Sequence, residues 1–151
     1  MDLTRITAKA QMLVHAPAVE VFEAFAKPEM MSRFWFARRD EGLVAGDTVQ
    51  WFLGEKPEAP KINVKVKVSE SPHKLIVDWG HQDEFTTVSW ILEEKGNNLT
   101  LLKIEESGFS GSEKEIIERV LDSTAGFNQV LLAAKALVEH GVSINVVQDH
   151  A

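Results

Sequence analysis

At 151 residues the chain has the length of one domain, and an apolar share of 44% with a charged share of 26% excludes a disordered or fibrous protein. Its 23 acidic residues against 16 basic ones give a formal net charge of −7, which disfavours non-specific affinity for nucleic acid or an anionic membrane. Cysteine is absent, which excludes disulfides, thiolate metal sites and thiol catalysis, and no run reaches the ~18 apolar residues of a membrane span.

Met1 is followed by Asp2, Arg5 and Lys9 with no apolar segment, so no signal peptide is expected and the expected location is cytoplasmic. The stretch from Thr4 to His15 alternates: Ile6, Ala8, Ala10, Met12 and Val14 share one side, and Thr7, Lys9 and Gln11 the other. That is the period of a half-buried strand. Ala16-Pro17 ends it, and Pro17 suits the first turn of a helix in which Val19, Phe22, Phe25 and Ala26 form an apolar face. Lys27-Pro28 breaks that helix, and Glu29 to Phe34 reads as a second short one leading into Trp35-Phe36.

From residue 40 a meander of strands follows. Gly42 and Gly46-Asp47 mark turns, and Thr48 to Leu53 is a strand with Val49, Trp51 and Leu53 on one side. Residues 54–60, with two prolines and two glutamates, read as an exposed loop. Ile62, Val64, Val66 and Val68 then alternate with Asn63, Lys65, Lys67 and Ser69, and Ser71-Pro72 turns the chain. Leu75, Val77 and Trp79 form the inward side of the next strand, and Thr86, Val88, Trp90 and Leu92 that of the one after. Lys95-Gly96-Asn97-Asn98 is a hairpin turn. In the last strand, Leu99 to about Glu106, apolar Leu99, Leu101, Leu102 and Ile104 occupy both faces, so alternation does not choose the inward one.

Gly108 and Gly111 end the sheet, and Ser112 with Glu115 three residues on has the capping-box arrangement. The helix it opens runs to about His140, where Gly141 supplies a stop, and is about 40 Å long. Ile117, Val120, Thr124, Phe127, Leu131, Ala134 and Val138 make its expected apolar stripe. Gly126 in the middle disfavours helix by about 1 kcal/mol against alanine, which points to a bend or a close approach. The expected fold is α+β: a curved antiparallel six-stranded sheet wrapped around the long C-terminal helix, with two short helices after the first strand. It forms a single domain over 1–151 with its core at about 6–141.

The order and spacing of these landmarks resemble the START-like (SRPBCC) helix-grip superfamily, and more narrowly the branch related to the C-terminal domain of the activator of Hsp90 ATPase. The residues that carry the resemblance are Ala16-Pro17 after the first strand, Val21-Phe22, Trp35, Gly46, the exit Glu106-Ser107-Gly108-Phe109, and the ending Leu137-Val138-Glu139-His140-Gly141. Relatives often carry Gly-Trp in the last helix, where this chain has Gly126-Phe127, and histidine near the exit of the last strand, where Glu106 stands. The resemblance implies an apolar cavity between sheet and helix. Families that look like this bind lipids or hydrophobic metabolites, some catalyse polyketide cyclisation and a few touch Hsp90, so the fold does not fix the function. The eukaryotic activators carry a further N-terminal domain whereas this chain ends at one, so the chain alone is not expected to stimulate an Hsp90 ATPase.

Trp51, Trp79 and Trp90 fall on the inward parity of their strands and Trp35 stands at the sheet's mouth, a pattern that serves either a packed core or a cavity wall. Ala8 and Ala10, small and inward beside Met12, leave room for a cavity. Thr124 and Asn128, near Phe127 and Leu131 on the helix, would orient a ligand's polar end unless they bond a neighbouring carbonyl or face water. Arg38 and Arg39 would guard the mouth for an acidic ligand, but are expected to be a solvated surface pair. Glu84, Glu105 and Glu106 would serve acid–base chemistry if buried, and are expected to be exposed strand ends. His15, His73, His81, His140 and His150 show no ligand spacing, His81 and Asp83 read as a turn, and Gly108 to Gly111 as a chance GXXG. No catalytic residue, metal or cofactor is assigned. The expected function is binding of a small hydrophobic molecule, with no nucleic-acid or membrane partner. The alternatives are a cyclase-type cavity enzyme using Glu106 or Arg38, and a module that contacts a chaperone.

Overall fold

Alternating strands separated by turn residues pair with their neighbours, and the computed structural model, which describes residues 2–151, joins them into one sheet. The elements are β1 (Ala8–Val14), α1 (Ala18–Ala26), α2 (Pro28–Met31), β2 (Ala37–Arg38), β3 (Thr48–Phe52), β4 (Lys61–Glu70), β5 (Lys74–His81), β6 (Glu84–Gly96), β7 (Leu99–Ser107) and α3 (Glu113–His140). All pairs are antiparallel, in the order β1-β7-β6-β5-β4-β3-β2, so the first strand closes against the last. Among the described residues the sheet thus has seven strands rather than six. The additional strand, β2, pairs Ala37 with Phe52 and Arg38 with Trp51, and is too short to show any alternation.

Register settles what periodicity left open. Trp90 stands opposite Ile104 and Leu92 opposite Leu102, so Thr100, Leu102, Ile104 and Glu106 form the buried side of β7. In α1 the buried valine is Val21, not Val19, which is 44% exposed. β3 ends at Phe52, which is buried, and Leu53 beyond it turns outward. A register shift between Val66 and Val68 interrupts the parity of β4 and leaves Val68 only half-buried.

Helix α3 has the expected capping box, with the Ser112 hydroxyl accepting from the Glu115 N–H at 3.2 Å, and Gly141 closes it in the left-handed conformation at φ 67°. Its buried stripe includes Ile116, Val120, Phe127, Val130, Leu131, Ala134 and Leu137, while Ile117 is 41% exposed and Val138 half-buried. Ile116 is selected because it packs with Leu3, Ala8, Phe109 and Val120 at the N-terminal end of the helix.

A Cβ built on Gly126 would meet nothing within 4 Å, so the glycine is not explained by a close approach. Gly126→Ala is therefore expected to stabilise the protein by about 1 kcal/mol, read as a higher urea midpoint at unchanged slope.

A charged clip fastens the C-terminal end of α3 to the end of β1. Lys135 Nζ donates to the Leu13 carbonyl at 2.7 Å and to Glu139 Oε2 at 2.6 Å, and the His15 N–H donates to the same oxygen at 2.7 Å. Desolvation pushes the Glu139 carboxyl up, but the bonds from Lys135 and His15 outweigh it and hold the group below its usual 4.5. A depressed folded-state pKa stabilises at pH above the unfolded value, and that stability is lost as pH falls through the folded value. Glu139→Gln should lower stability by about 1.5–3 kcal/mol at neutral pH. Urea titrations of both proteins should converge as the pH is taken below the usual glutamate range.

Candidate functional site

The inward faces of β5, β6 and β7 converge on Glu106. Register places Trp79 opposite Thr86, and Glu106 opposite both Val88 on β6 and Ala8 on β1. Thr86 is therefore a diagonal neighbour of Glu106 on the same face, and so is Trp90, roughly 7–8 Å away along the sheet. Trp79 Nε1 donates to Glu106 Oε2 at 3.0 Å and Thr86 Oγ1 donates to the same oxygen at 2.5 Å. Glu106 is 3% exposed and Thr86 4%. Oε1, the second oxygen of the carboxyl group, is buried with no partner, and so are the indole nitrogens of Trp51 and Trp90.

Beside this carboxyl lies a continuous group of rings. Trp35, held in the turn after α2 by its N–H bond to the Met31 carbonyl, packs against Trp51, Trp79 and Trp90 at centroid distances of 5.6, 5.7 and 6.1 Å. Phe127 of α3 stacks on Trp79 at 5.8 Å and 15°. Rings therefore fill the space between the sheet and the middle of α3 where a cavity was expected. Trp35, Trp51 and Trp90 are 5% exposed or less, while Trp79 is half-buried and reaches the surface.

The buried apolar residues form two clusters, a main one containing Ala10, the buried tryptophans, Phe127 and Leu131, and a smaller one containing Ala8, Phe109, Ile116 and Val120. In sequence Glu106 falls between Ile104 of the first and Phe109 of the second, and Thr124 between Val120 of the second and Phe127 of the first. Glu106, which register sets opposite Val88 of the first cluster and Ala8 of the second, thus marks the seam between them.

The residues singled out from sequence divide accordingly. Ala8, Ala10, Trp35, Trp51, Trp90, Phe127 and Leu131 are buried, and Met12 and Trp79 are partly so. Thr124 donates to the Val120 carbonyl at 2.7 Å and Asn128, which is exposed, to the Thr124 carbonyl at 2.8 Å, so both bond their own helix. Arg38 is not a surface residue. It is 7% exposed, forks onto Asp40, and donates to the Phe25 carbonyl at 2.6 Å, whereas Arg39 remains exposed with its guanidinium 3.7 Å over Phe52. Glu106 was expected at an exposed strand end and is instead inside. Thr86, its partner, carried only the signal of inward parity in β6. An open depression of about 430 Å³, lined by Arg39, Asp40, Thr48, Gln50, Phe52 and Asn63, lies away from the Glu106 seam, and none of its lining residues bonds the carboxyl.

Among the described residues no group of three potential metal ligands forms, and no helix is long and apolar enough to cross a membrane.

Residues 15–139 match the model of the family described as Activator of Hsp90 ATPase homolog 1-like protein. The structure is similar to that of protein SSP2350 from Staphylococcus saprophyticus, with 26% identity and a TM-score of 0.77 over 93% of this chain and 96% of that one. It is similar to PFC0360w, an HSP90 activator from Plasmodium falciparum, with 20% identity and a TM-score of 0.67 over 90% and 96% of the two chains. It is also similar to DynU16, a protein of the dynemicin biosynthetic locus, with 19% identity and a TM-score of 0.77 over 91% of this chain and 48% of that one. The last two likenesses are of fold alone. No curated protein matches the sequence.

Proposed function

The chain belongs to the Activator of Hsp90 ATPase homolog 1-like family, and on that premise we propose that it binds a small, largely apolar molecule at the Glu106 seam between the sheet and α3. The observation that carries this reading is the set of unpartnered buried polar atoms, Glu106 Oε1, Trp51 Nε1 and Trp90 Nε1, on the inner side of the sheet. Each such atom left without a hydrogen bond disfavours the fold by about 1–3 kcal/mol, against a total stability of about 5–15 kcal/mol for a domain. A ligand with an apolar body and polar ends removes that deficit, which no side chain among the described residues does. The site residues of this reading are Trp79, Trp90, Thr86, Glu106, Ala8 and Phe127, with Trp35 and Trp51 as the supporting wall. It is a binding site without catalysis, in a cytoplasmic protein, and it uses no metal.

Native mass spectrometry of the protein purified without denaturation is the test. A bound species of constant small mass is expected, retained after EDTA treatment and lost in Glu106→Leu. Protein of bare chain mass, together with unchanged tryptophan fluorescence across a panel of apolar metabolites, would overturn the reading.

The family's description favours a second reading, contact with a chaperone. Saturable stimulation of an Hsp90 ATPase by the purified chain, undiminished in Glu106→Leu, is the result that would replace the first reading with this one.

A further inference from the structure

We infer that the ligand of this site carries a protonated amine, which donates to Glu106 Oε1 and lies against the indole rings; this rests on the binding reading above. A carboxyl group offers about four lone-pair directions on two oxygens. Here both protein donors, the Trp79 indole and the Thr86 hydroxyl, converge on Oε2, and both are neutral. Oε1 is left buried and unpartnered, and among the described residues no basic side chain pairs with Glu106. Lys103, the basic residue nearest to it on β7, bonds Glu93 at 2.7 Å. The basic residue buried elsewhere in the core, Arg38, is occupied by Asp40. An acidic residue is rarely buried this far without an opposite charge beside it, and a cation from outside would supply one.

The walls fit the same class of ligand. Tryptophan is the ring that attracts a cation most strongly, and the attraction grows when water is excluded. Trp79 is fixed to the carboxyl by its own hydrogen bond and Trp90 is its diagonal neighbour. An ammonium at Oε1 is therefore placed where carboxylate and indole both favour it. A carboxylate or phosphate would meet a carboxyl with no free guanidinium to offset it. The overall charge of −7 also enriches cations at the surface. Because rings fill the space beside Glu106, entry requires Trp79, the half-buried member of the four, to move off its stacking partner Phe127.

Matched probes separate this inference from the reading beneath it. 2-Phenylethylamine is protonated at neutral pH like a lysine side chain, 2-phenylethanol has the same body and a neutral donor, and phenylacetate carries the opposite charge. Binding followed by tryptophan fluorescence and calorimetry should rank amine above alcohol by at least about tenfold, with phenylacetate weakest. In Glu106→Gln, which keeps an acceptor for Trp79 and Thr86, the amine should lose its advantage over the alcohol. Amine and alcohol binding equally to the wild-type protein would overturn the amine and leave the binding site standing. Failure of all three probes to bind would overturn both. The wild-type comparison decides the question even if the variant does not fold.

Discussion

Alanine in place of Trp35 is expected to lower the unfolding free energy by about 3–5 kcal/mol, a large part of the total for a domain of this size. Trp35 is 5% exposed and lies in no helix or strand, so its position depends on packing. Its ring meets Phe25 of α1, Phe36 beside it, Trp51 of β3, Trp79 of β5, Trp90 of β6 and Phe127 of α3, all with centroids between 4.8 and 6.3 Å. One side chain therefore ties α1 and α3 to the centre of the sheet, and its removal leaves a void that several elements would have to move to close. The energetic consequence is a loss of transfer energy plus a cavity term, at the upper end of what truncation of a core residue produces. Urea denaturation should show the drop in midpoint, and Trp35→Phe should recover part of it. Leu121→Ala, at a position 66% exposed on α3, should stay within about 0.5 kcal/mol of wild type. A Trp35→Ala protein as stable as Leu121→Ala would mean that the aromatic group is loosely packed and can rearrange without loss.

The same residues show what the sequence made legible. Strands with a clean two-residue period, such as Thr86, Val88, Trp90 and Leu92, have the burial their parity implies. The capping box at Ser112 and the stop at Gly141 were legible because each is local chemistry within four residues. The inward face of β7 was not, because leucines stand on both of its sides and only pairing with β6 and β1 distinguishes them. That ambiguity concealed the site, since Glu106 was visible as an acid but its burial follows from register alone. Ile116 rather than Ile117, and Val21 rather than Val19, were decided by tertiary packing that helical spacing alone does not specify. The sequence supplied tryptophans at inward positions, but could not say whether their rings enclose a void or meet one another. In the structure they meet.

Removing the Arg38 guanidinium is expected to lower stability by about 3–5 kcal/mol, as breaking a buried ion pair does. The side chain is fully covered and its partner Asp40 is 10% exposed. Nε and Nη2 fork onto the two carboxylate oxygens, while Nη1 donates to the Phe25 carbonyl at 2.6 Å near the C-terminal end of α1. Arg38 thereby joins β2 to α1, and its guanidinium lies 5.5 Å from the Trp51 ring it supports. In Arg38→Ala the Asp40 carboxylate keeps only the Gly42 N–H at 3.2 Å, and the Phe25 carbonyl loses its donor. Most of the loss comes from these stranded groups, which has a testable consequence. Arg38→Met with Asp40→Asn removes both charges and keeps the volume, so the double variant should be more stable than Arg38→Ala despite its two changes. Arg38→Lys should remain well below wild type, because a single ammonium cannot reproduce the fork and reach Phe25 as well. Added salt should change little, since the pair is out of reach of screening ions. A loss below about 1 kcal/mol in Arg38→Ala, abolished by salt, would describe a solvated surface pair and would remove Arg38 as the support behind Trp51.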